Sequence, residues 1–277
     1  MVTVGEVLAR LKGSLGAPEA DPVAEGLCAG LLAMPVTGVA VSFAPSVEVL
    51  LKAKAQGCNV VLADAHPYFS YDTKWSNLPG VMSTVTASPV VARKRALIEA
   101  EGMAVLRLRS AWRAKYPDAA AAALATALGF SVLPGSAGRE FVIASCGGVV
   151  GDHFARVQER LGVTAPRLLG LARQPARHIA ITTGLLPPSN LRKVLDDPRV
   201  DTVIAGEVVE WEAGPYMQDA ISSGRRASLI LTGYAASLEP AAAAVTSWAS
   251  KALSDLLVVH IPGGSPIWAP MFGKGAA

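Results

Sequence analysis

The most informative stretch of the chain is Gly57-Cys58-Asn59-Val60-Val61-Leu62-Ala63-Asp64-Ala65-His66-Pro67, in which a short apolar run is followed by a histidine and a proline. Val60 to Leu62 are β-branched or aliphatic, and the flanking Gly57 and Pro67 bound them as one strand. Ligands of α/β proteins bind at the carboxyl ends of such strands. The stretch therefore predicts a buried strand that delivers His66 to a place suited to chemistry.

The composition is that of a folded protein with one large or two ordinary domains. Of the 277 residues, 51% are hydrophobic and 17% are charged, which supplies ample core material. The formal net charge is only +3, and no block of like charges forms a nucleic-acid-binding arm. We therefore do not expect nucleic acid as a partner.

Cysteine usage and the first residues predict a cytoplasmic protein. The three cysteines, Cys28, Cys58 and Cys146, are far apart and form no C-x-x-C motif, which argues against a disulfide framework and a structural zinc site. The first residues lack the basic flank and apolar segment of a signal peptide. The alanine-rich segment 119–133 is too interrupted and too weakly apolar for a membrane span, so we expect no membrane association.

Strand-like and helix-like segments alternate along the chain, which predicts a mixed α/β architecture. No internal repeat is evident. Strands are expected at 38–43, 60–62, 103–108, 140–144, 178–182, 202–205, 228–231 and 256–261. Helices are expected at 47–56, 90–100, 118–127, 154–161, 190–195, 216–223 and 241–254, with Ser46 and Ser189 as N-caps.

Several motifs resemble, in the same order, those of the Nif-three-like family, also described as dinuclear metal-centre hexameric or type-two GTP cyclohydrolase-like proteins. The family's strand ending in Thr-His-His-Pro is matched by Asp64 to Pro67, its Thr-Gly-Glu by Ala205 to Glu207, and its strand ending in Gly-His by Leu231 to Tyr234. The resemblance implies two α/β subdomains with mixed sheets flanked by helices, one formed by 1–130 plus 229–277 and the other by 131–228. It also implies a site in the cleft between them and a homohexamer built as a trimer of dimers.

Family members hold two divalent metals, which can activate a shared water for hydrolysis. By resemblance, the ligand positions of this chain are Ala65, His66, Arg109, Arg113, Tyr234 and Leu238. Only His66 is an ordinary metal ligand, and a guanidinium group cannot bind a cation. We therefore expect no dinuclear centre and no cofactor, with a single zinc, manganese or iron ion at His66 as the alternative.

The two arginines suggest a different site. If Arg109 and Arg113 supply the charge that metals supply in relatives, they form a cleft for a phosphate or carboxylate together with His66, Tyr234 and Glu207. His66 and Glu207 are then the catalytic candidates. The competing interpretation is that the arginines are solvated or interface residues and that His66 is a turn histidine bonded to the backbone.

Two functions remain open from the sequence. The first is a metal-poor oligomeric protein that binds a small anion or serves as a scaffold. The second is a metal-dependent hydrolase, cyclohydrolase-like or phosphoester-hydrolysing, with an atypical site. The remaining candidates, His153, His178, His260 and Cys146, are expected to be structural because none has a partner at a useful spacing.

Overall fold

The computed structural model describes residues 1–16, 25–68, 88–135 and 141–264. The chain divides into two compact units, the first made of Met1–Tyr116 with Ala242–Gly263 and the second centred on Pro117–Ala241. The boundaries between the units lie at 116/117 and 241/242, whereas the sequence-based expectation put them at 130/131 and 228/229. One reason is that the alanine-rich helix 119–127 packs through Leu124 and Ala125 into a core of the second unit.

The elements alternate as the sequence predicts, and the fold is mixed α/β. The helices are α1 (Val4–Leu15), α2 (Val47–Ala55), α3 (Pro89–Ala100), α4 (Arg109–Lys115), α5 (Ala119–Ala127), α6 (Val150–Leu161), α7 (Pro188–Leu195), α8 (Glu210–Ser222) and α9 (Tyr234–Ala252). The strands are β1 (Gly26–Ala29), β2 (Val39–Ser42), β3 (Val60–Ala63), β4 (Ala104–Arg107), β5 (Ser131–Val132), β6 (Phe141–Ser145), β7 (Arg167–Leu169), β8 (His178–Thr182), β9 (Leu185–Leu186), β10 (Thr202–Ala205), β11 (Glu207–Val208), β12 (Ser228–Leu231) and β13 (Val258–His260).

The sheet of the first unit has the strand order β1-β4-β3-β2-β13. Strands β4, β3, β2 and β13 run parallel, and β1 pairs antiparallel with β4. All residues of β3 are buried, as expected for a parallel strand covered on both faces. His66 therefore follows the carboxyl end of a central strand, as the sequence predicts.

The sheet of the second unit has the strand order β7-β12-β10-β8-β6-β5. Strands β12, β10 and β8 are parallel, whereas β7, β6 and β5 pair antiparallel. Alternate residues of the central strands enter two apolar clusters, so that Val203 packs in one cluster and its neighbour Ile204 in the other. The sheet thus has an apolar core on each face.

Local signals placed some element ends well and others poorly. Strands β8, β10 and β12 match the expected bounds, and Ser46 caps α2 through its hydroxyl, which accepts a hydrogen bond from the Val49 amide. The expected N-cap at Ser189 is wrong: α7 begins at Pro188, since proline fits the first helical position, where no amide donor is needed. Helices α1 and α4 were not expected. Within the described residues, no helix is both long and apolar enough to span a membrane.

The expectation that the chain has no internal repeat is wrong. Strands β1-β4-β3-β2 of the first unit correspond in order and direction to β7-β12-β10-β8 of the second. The pair registers agree as well, because Val60 stands opposite Ala104 in the first sheet and Thr202 opposite Ser228 in the second. The two units are copies of one topology.

The helices that precede each sheet confirm the repeat. Helices α1 and α6 both contain 12 residues, and each ends at a left-handed glycine, Gly16 or Gly162. In each case an acidic side chain in the first turn, Glu6 or Asp152, accepts a hydrogen bond from the amide of the residue before the helix.

The loop after the first strand of each unit also repeats. Residues 30–35 and 170–175 share the pattern Gly-Leu-x-x-x-Pro. Pro35 forms an isolated bridge with Thr3, and Pro175 forms the matching bridge with Val149. The same backbone arrangement is therefore built from largely different side chains.

Candidate anion site

Asp64 forms ion pairs with two arginines at the carboxyl end of β3. Its Oδ2 lies 3.3 Å from Nε of Arg109, and its Oδ1 lies 3.2 Å from Nη2 of Arg113. The arginines are one helical turn apart on α4, so both side chains emerge on the same side of the helix. The sequence predicted the arginines as a pair but did not identify Asp64 as the residue that joins them.

These ion pairs are loose. Close charge-assisted hydrogen bonds between nitrogen and oxygen measure about 2.7–2.9 Å. Both arginine pairs exceed that range, and the three side chains keep 24–30% of their surface exposed. An anion that offers closer oxygen atoms would therefore compete with Asp64 for the guanidinium groups.

Two further cations are buried nearby. Arg107 is 6% exposed and donates from Nε to the backbone oxygen of Asp64 at 2.7 Å. Lys94 is 5% exposed on the inward face of α3, and burial lowers the pKa of its ammonium group to about 8. Lysine and arginine are rarely this buried. Because both charges act on His66, positive charge is concentrated at this end of the sheet.

His66 is an uncharged hydrogen-bond donor in this setting. Burial, together with the positive charges of Arg107 and Lys94, lowers its pKa to about 4. The backbone amide of Tyr68 donates to its Nδ1 at 3.1 Å, so the ring proton resides on Nε2. At neutral pH, His66 therefore presents an N–H group and no charge.

The described residues at this strand end do not fit a metal ion. A histidine that binds metal normally donates from its other ring nitrogen to an acceptor, whereas the Nδ1 of His66 faces a donor. The four cationic side chains, Lys94, Arg107, Arg109 and Arg113, would repel a metal ion. Within the described ranges, no group of three or more His, Cys, Asp or Glu side chains is close enough to hold one.

Glu25 fixes the helix that carries the arginines. The residue before α4 is Leu108, which offers no side-chain acceptor to the first helical amides. Glu25, at the start of β1, fills that role: its Oε1 accepts a hydrogen bond from the Ser110 amide at 2.9 Å. The residue is 5% exposed, and its Oε2 has no hydrogen-bond partner within the described residues. Sequence reasoning missed Glu25 because the contact spans 85 residues.

The other two expected site residues belong to the second unit. Glu207 forms a 2.6 Å ion pair with Arg167, which also contacts Glu210 at 2.8 Å. Burial raises the pKa of Glu207 although Arg167 acts in the opposite direction. Tyr234 packs its ring against Gly184, where an added Cβ would lie 3.3 Å from Cε2 of the ring.

The remaining candidates have structural environments. Cys146 donates from Sγ to the Ala176 oxygen, and burial raises its pKa to about 11, which disfavours the nucleophilic thiolate. His153 is 1% exposed and packs against the Phe130 ring. His178 lies in β8 and His260 in β13.

The second unit has uncharged residues at the positions that correspond to Asp64, Arg109 and Arg113. By the strand register Asp64 corresponds to Gly206, and by the first residues of the helices that follow β4 and β12, Arg109 corresponds to Tyr234 and Arg113 to Leu238. These residues pack closely: a Cβ on Gly206 would lie 2.5 Å from the Gly184 oxygen, and a Cβ on Gly184 would lie 3.3 Å from the Tyr234 ring and 3.7 Å from Cδ1 of Leu238. The fold itself therefore does not require an aspartate and two arginines here.

Comparison with known proteins identifies the fold. No protein-family model matches the sequence, and no curated protein matches it. A Staphylococcus aureus hypothetical protein, SA1388, matches with a TM-score of 0.72 and 14% identity over 98% of this chain and 99% of that one. A Bacillus cereus protein related to NIF3 gives 0.71 and 12% over 98% and 99%. The protein ybgI, of unknown function, gives 0.67 and 19% over 95% and 99%. The chain therefore has the fold of the NIF3-related proteins, as its resemblance to the Nif-three-like family predicts.

Proposed function

We propose that this protein binds a small oxyanion, a phosphate or carboxylate group, between Arg109 and Arg113 without the help of a metal. The observation that carries the proposal is the difference between the repeated units. One unit has Asp64, Arg109 and Arg113 where the other has the uncharged residues Gly206, Tyr234 and Leu238. Since the fold is built either way, the charges serve something other than folding.

The cations around the site support an anion as the ligand. Among the described residues, four cationic side chains, Lys94, Arg107, Arg109 and Arg113, lie near this strand end together with the carboxylates of Asp64 and Glu25. Two of the cations are more than nine-tenths buried, where solvent stabilises charge poorly. A bound anion would offset that cost.

The donor chemistry also suits an oxyanion. A guanidinium group presents a planar fork of N–H donors that matches the oxygens of phosphate or carboxylate. His66 adds an uncharged N–H donor, which lends a hydrogen bond without requiring a low pH. Glu207 is engaged by Arg167, and we assign it no part in binding the anion.

We extend the proposal to the assembly that the Nif-three-like resemblance implies, a cytoplasmic homohexamer built as a trimer of dimers. Light scattering on the purified protein tests the hexamer directly. The site does not support a metal-dependent hydrolase. The Nδ1 atom of His66 accepts a hydrogen bond from an amide instead of donating one, and the surrounding cations would repel a metal ion.

The decisive experiment replaces the charged residues by their counterparts in the second unit. We expect the triple variant Asp64→Gly, Arg109→Tyr, Arg113→Leu to keep the circular dichroism spectrum of the wild type and to lose binding of inorganic phosphate and pyrophosphate measured by calorimetry at low salt. Arg10→Leu is the matched control, since it removes an exposed arginine paired with Asp255 in the same unit. Equal phosphate binding by the triple variant and the wild type, or no binding by the wild type, would contradict the proposal.

A further inference from the structure

Asp64 is a hydrogen-bond acceptor with unused capacity beside the two arginines of the proposed anion site. A carboxylate can accept about four hydrogen bonds on its two oxygens. Within the described residues, the Asp64 carboxylate accepts one, from Nη2 of Arg113 at 3.2 Å. Its Oδ2 lies 3.3 Å from Nε of Arg109 in an ion pair that lacks the geometry of a hydrogen bond. Because 24% of the side chain is exposed, the carboxylate is open to a donor that arrives with a ligand.

The backbone of Asp64 is held by a buried side chain. Arg107 is 6% exposed, and its Nε donates to the backbone oxygen of Asp64 at 2.7 Å. The position of the carboxylate therefore does not depend on its ion pairs alone. The second unit has Gly206 at the corresponding position, so the repeated fold does not require a carboxylate there.

A carboxylate beside two arginines is a disadvantage for a plain anion. It repels the charge of the ligand and competes with the ligand for the guanidinium groups. A ligand offsets this cost if it also brings a hydroxyl group, because a hydroxyl group that donates to a carboxylate forms a charge-assisted hydrogen bond. An acceptor of this kind therefore favours one anion over a close analogue that lacks the donor.

We propose that Asp64 selects anions that carry a hydroxyl group close to the charge, so that the ligands are hydroxylated phosphate monoesters or hydroxy acids. This inference rests on the proposed function, because Arg109 and Arg113 hold the anionic group while the neighbouring hydroxyl group donates to Asp64. A plain anion of the same charge meets the repulsion without gaining the hydrogen bond. Asp64 is thus a specificity-determining residue of the site.

The test compares glycerol 3-phosphate with n-propyl phosphate. The two compounds share a three-carbon chain and a phosphate group and differ only in their hydroxyl groups. Titration calorimetry is done at about pH 8, where a phosphate monoester carries no proton of its own to donate because its second pKa is about 6. We expect glycerol 3-phosphate to bind the wild type roughly tenfold more tightly, as one hydrogen bond to a charged group allows.

Asp64→Asn tests whether the carboxylate causes this preference. The substitution keeps the shape and one oxygen acceptor but removes the charge. We expect n-propyl phosphate to bind roughly tenfold more tightly than to the wild type and glycerol 3-phosphate only roughly threefold, because the latter loses the charge-assisted part of its hydrogen bond. The preference then falls to roughly threefold. Asp255→Asn is the matched control and should keep the full preference, since Asp255 pairs with Arg10 away from the site.

Two outcomes would overturn the inference. One is equal affinity of the wild type for the two phosphates, a measurement that does not depend on any variant folding. The other is a preference that Asp64→Asn retains in full. If both phosphates bind the wild type equally well, the selection by Asp64 fails and the anion site stands. If neither phosphate binds, the proposed function itself fails.

Discussion

Asp64 should restrain anion binding, and Asp64→Asn should therefore tighten it. The carboxylate competes with the ligand for both guanidinium groups, and its ion pairs of 3.2 and 3.3 Å are loose enough to be displaced. Asparagine has nearly the same shape and keeps one oxygen acceptor for the arginines. The substitution thus removes the negative charge with little change in packing.

The size of the effect follows from Coulomb repulsion between Asp64 and the bound anion. For unit charges about 6 Å apart, the repulsion is about 2.8 kcal/mol at an effective dielectric constant of about 20 and about 0.7 kcal/mol at the value of water. Because these side chains are about a quarter exposed, we expect about 1.4 kcal/mol, or roughly tenfold tighter binding.

Titration calorimetry with inorganic phosphate measures this change directly. Repeating the titration at higher ionic strength should shrink the difference between variant and wild type, because salt screens charges that are partly exposed. Asp255→Asn is the control, since Asp255 pairs with Arg10 in the same unit and should leave phosphate affinity unchanged. Weaker or unchanged phosphate binding by Asp64→Asn would refute the idea that Asp64 competes with the ligand.

The remaining predictions concern capping, buried histidines and metal. Glu25→Ala should lower the free energy of unfolding by about 1–2 kcal/mol through loss of the cap on α4 and should weaken phosphate binding, and Glu25→Gln should restore most of both, as urea unfolding and calorimetry would show. His153→Leu should leave the free energy of unfolding unchanged or raise it by about 1 kcal/mol, because both ring nitrogens lack a hydrogen bond within the described residues. The backbone of Gly147 favours the charged form of the ring, but burial outweighs it. Burial lowers the pKa of His153, so the unfolded chain takes up the proton first and stability falls as the pH drops below about 6.5; His153→Leu should lose less stability than the wild type in urea titrations from pH 7 to 5. Nuclear magnetic resonance should find the pKa of His66 near 4 and show that it rises when phosphate binds, since the anion favours the imidazolium. Elemental analysis after exposure to zinc, manganese and iron should find less than one metal per chain, and about two per chain would revive the hydrolase.

The sequence predicts the central strands well because each is a short, continuous apolar run. Strands β8, β10 and β12 are buried on both faces, so their composition identifies them without knowledge of their partners. Edge strands lack that signal. Strand β7 contains the exposed Arg167 and two partly buried leucines, and no continuous apolar run indicates it in the sequence.

The candidate site was predicted in part. Arg109 and Arg113 are four residues apart, so their proximity on a helix can be read from spacing. The contact between Arg113 and Asp64 joins residues 49 positions apart in the sequence, and the cap from Glu25 to Ser110 joins residues 85 positions apart. Contacts over such sequence separations depend on which strands pair, so spacing alone does not predict them. The repeat was hidden because the two units conserve backbone hydrogen bonds rather than side chains. The Gly-Leu-x-x-x-Pro pattern at 30–35 and 170–175 is the signal that could have revealed it.

A crystal structure of the protein soaked with tungstate, a heavy oxyanion with strong anomalous scattering, would show directly whether an anion binds between Arg109 and Arg113. We predict an anomalous peak within hydrogen-bonding distance of the guanidinium groups of Arg109 and Arg113, and no peak in the triple variant that carries the counterparts from the second unit. Tungstate bound only elsewhere on the molecule, or a transition metal bound to His66 in crystals soaked with manganese or zinc, would contradict the account.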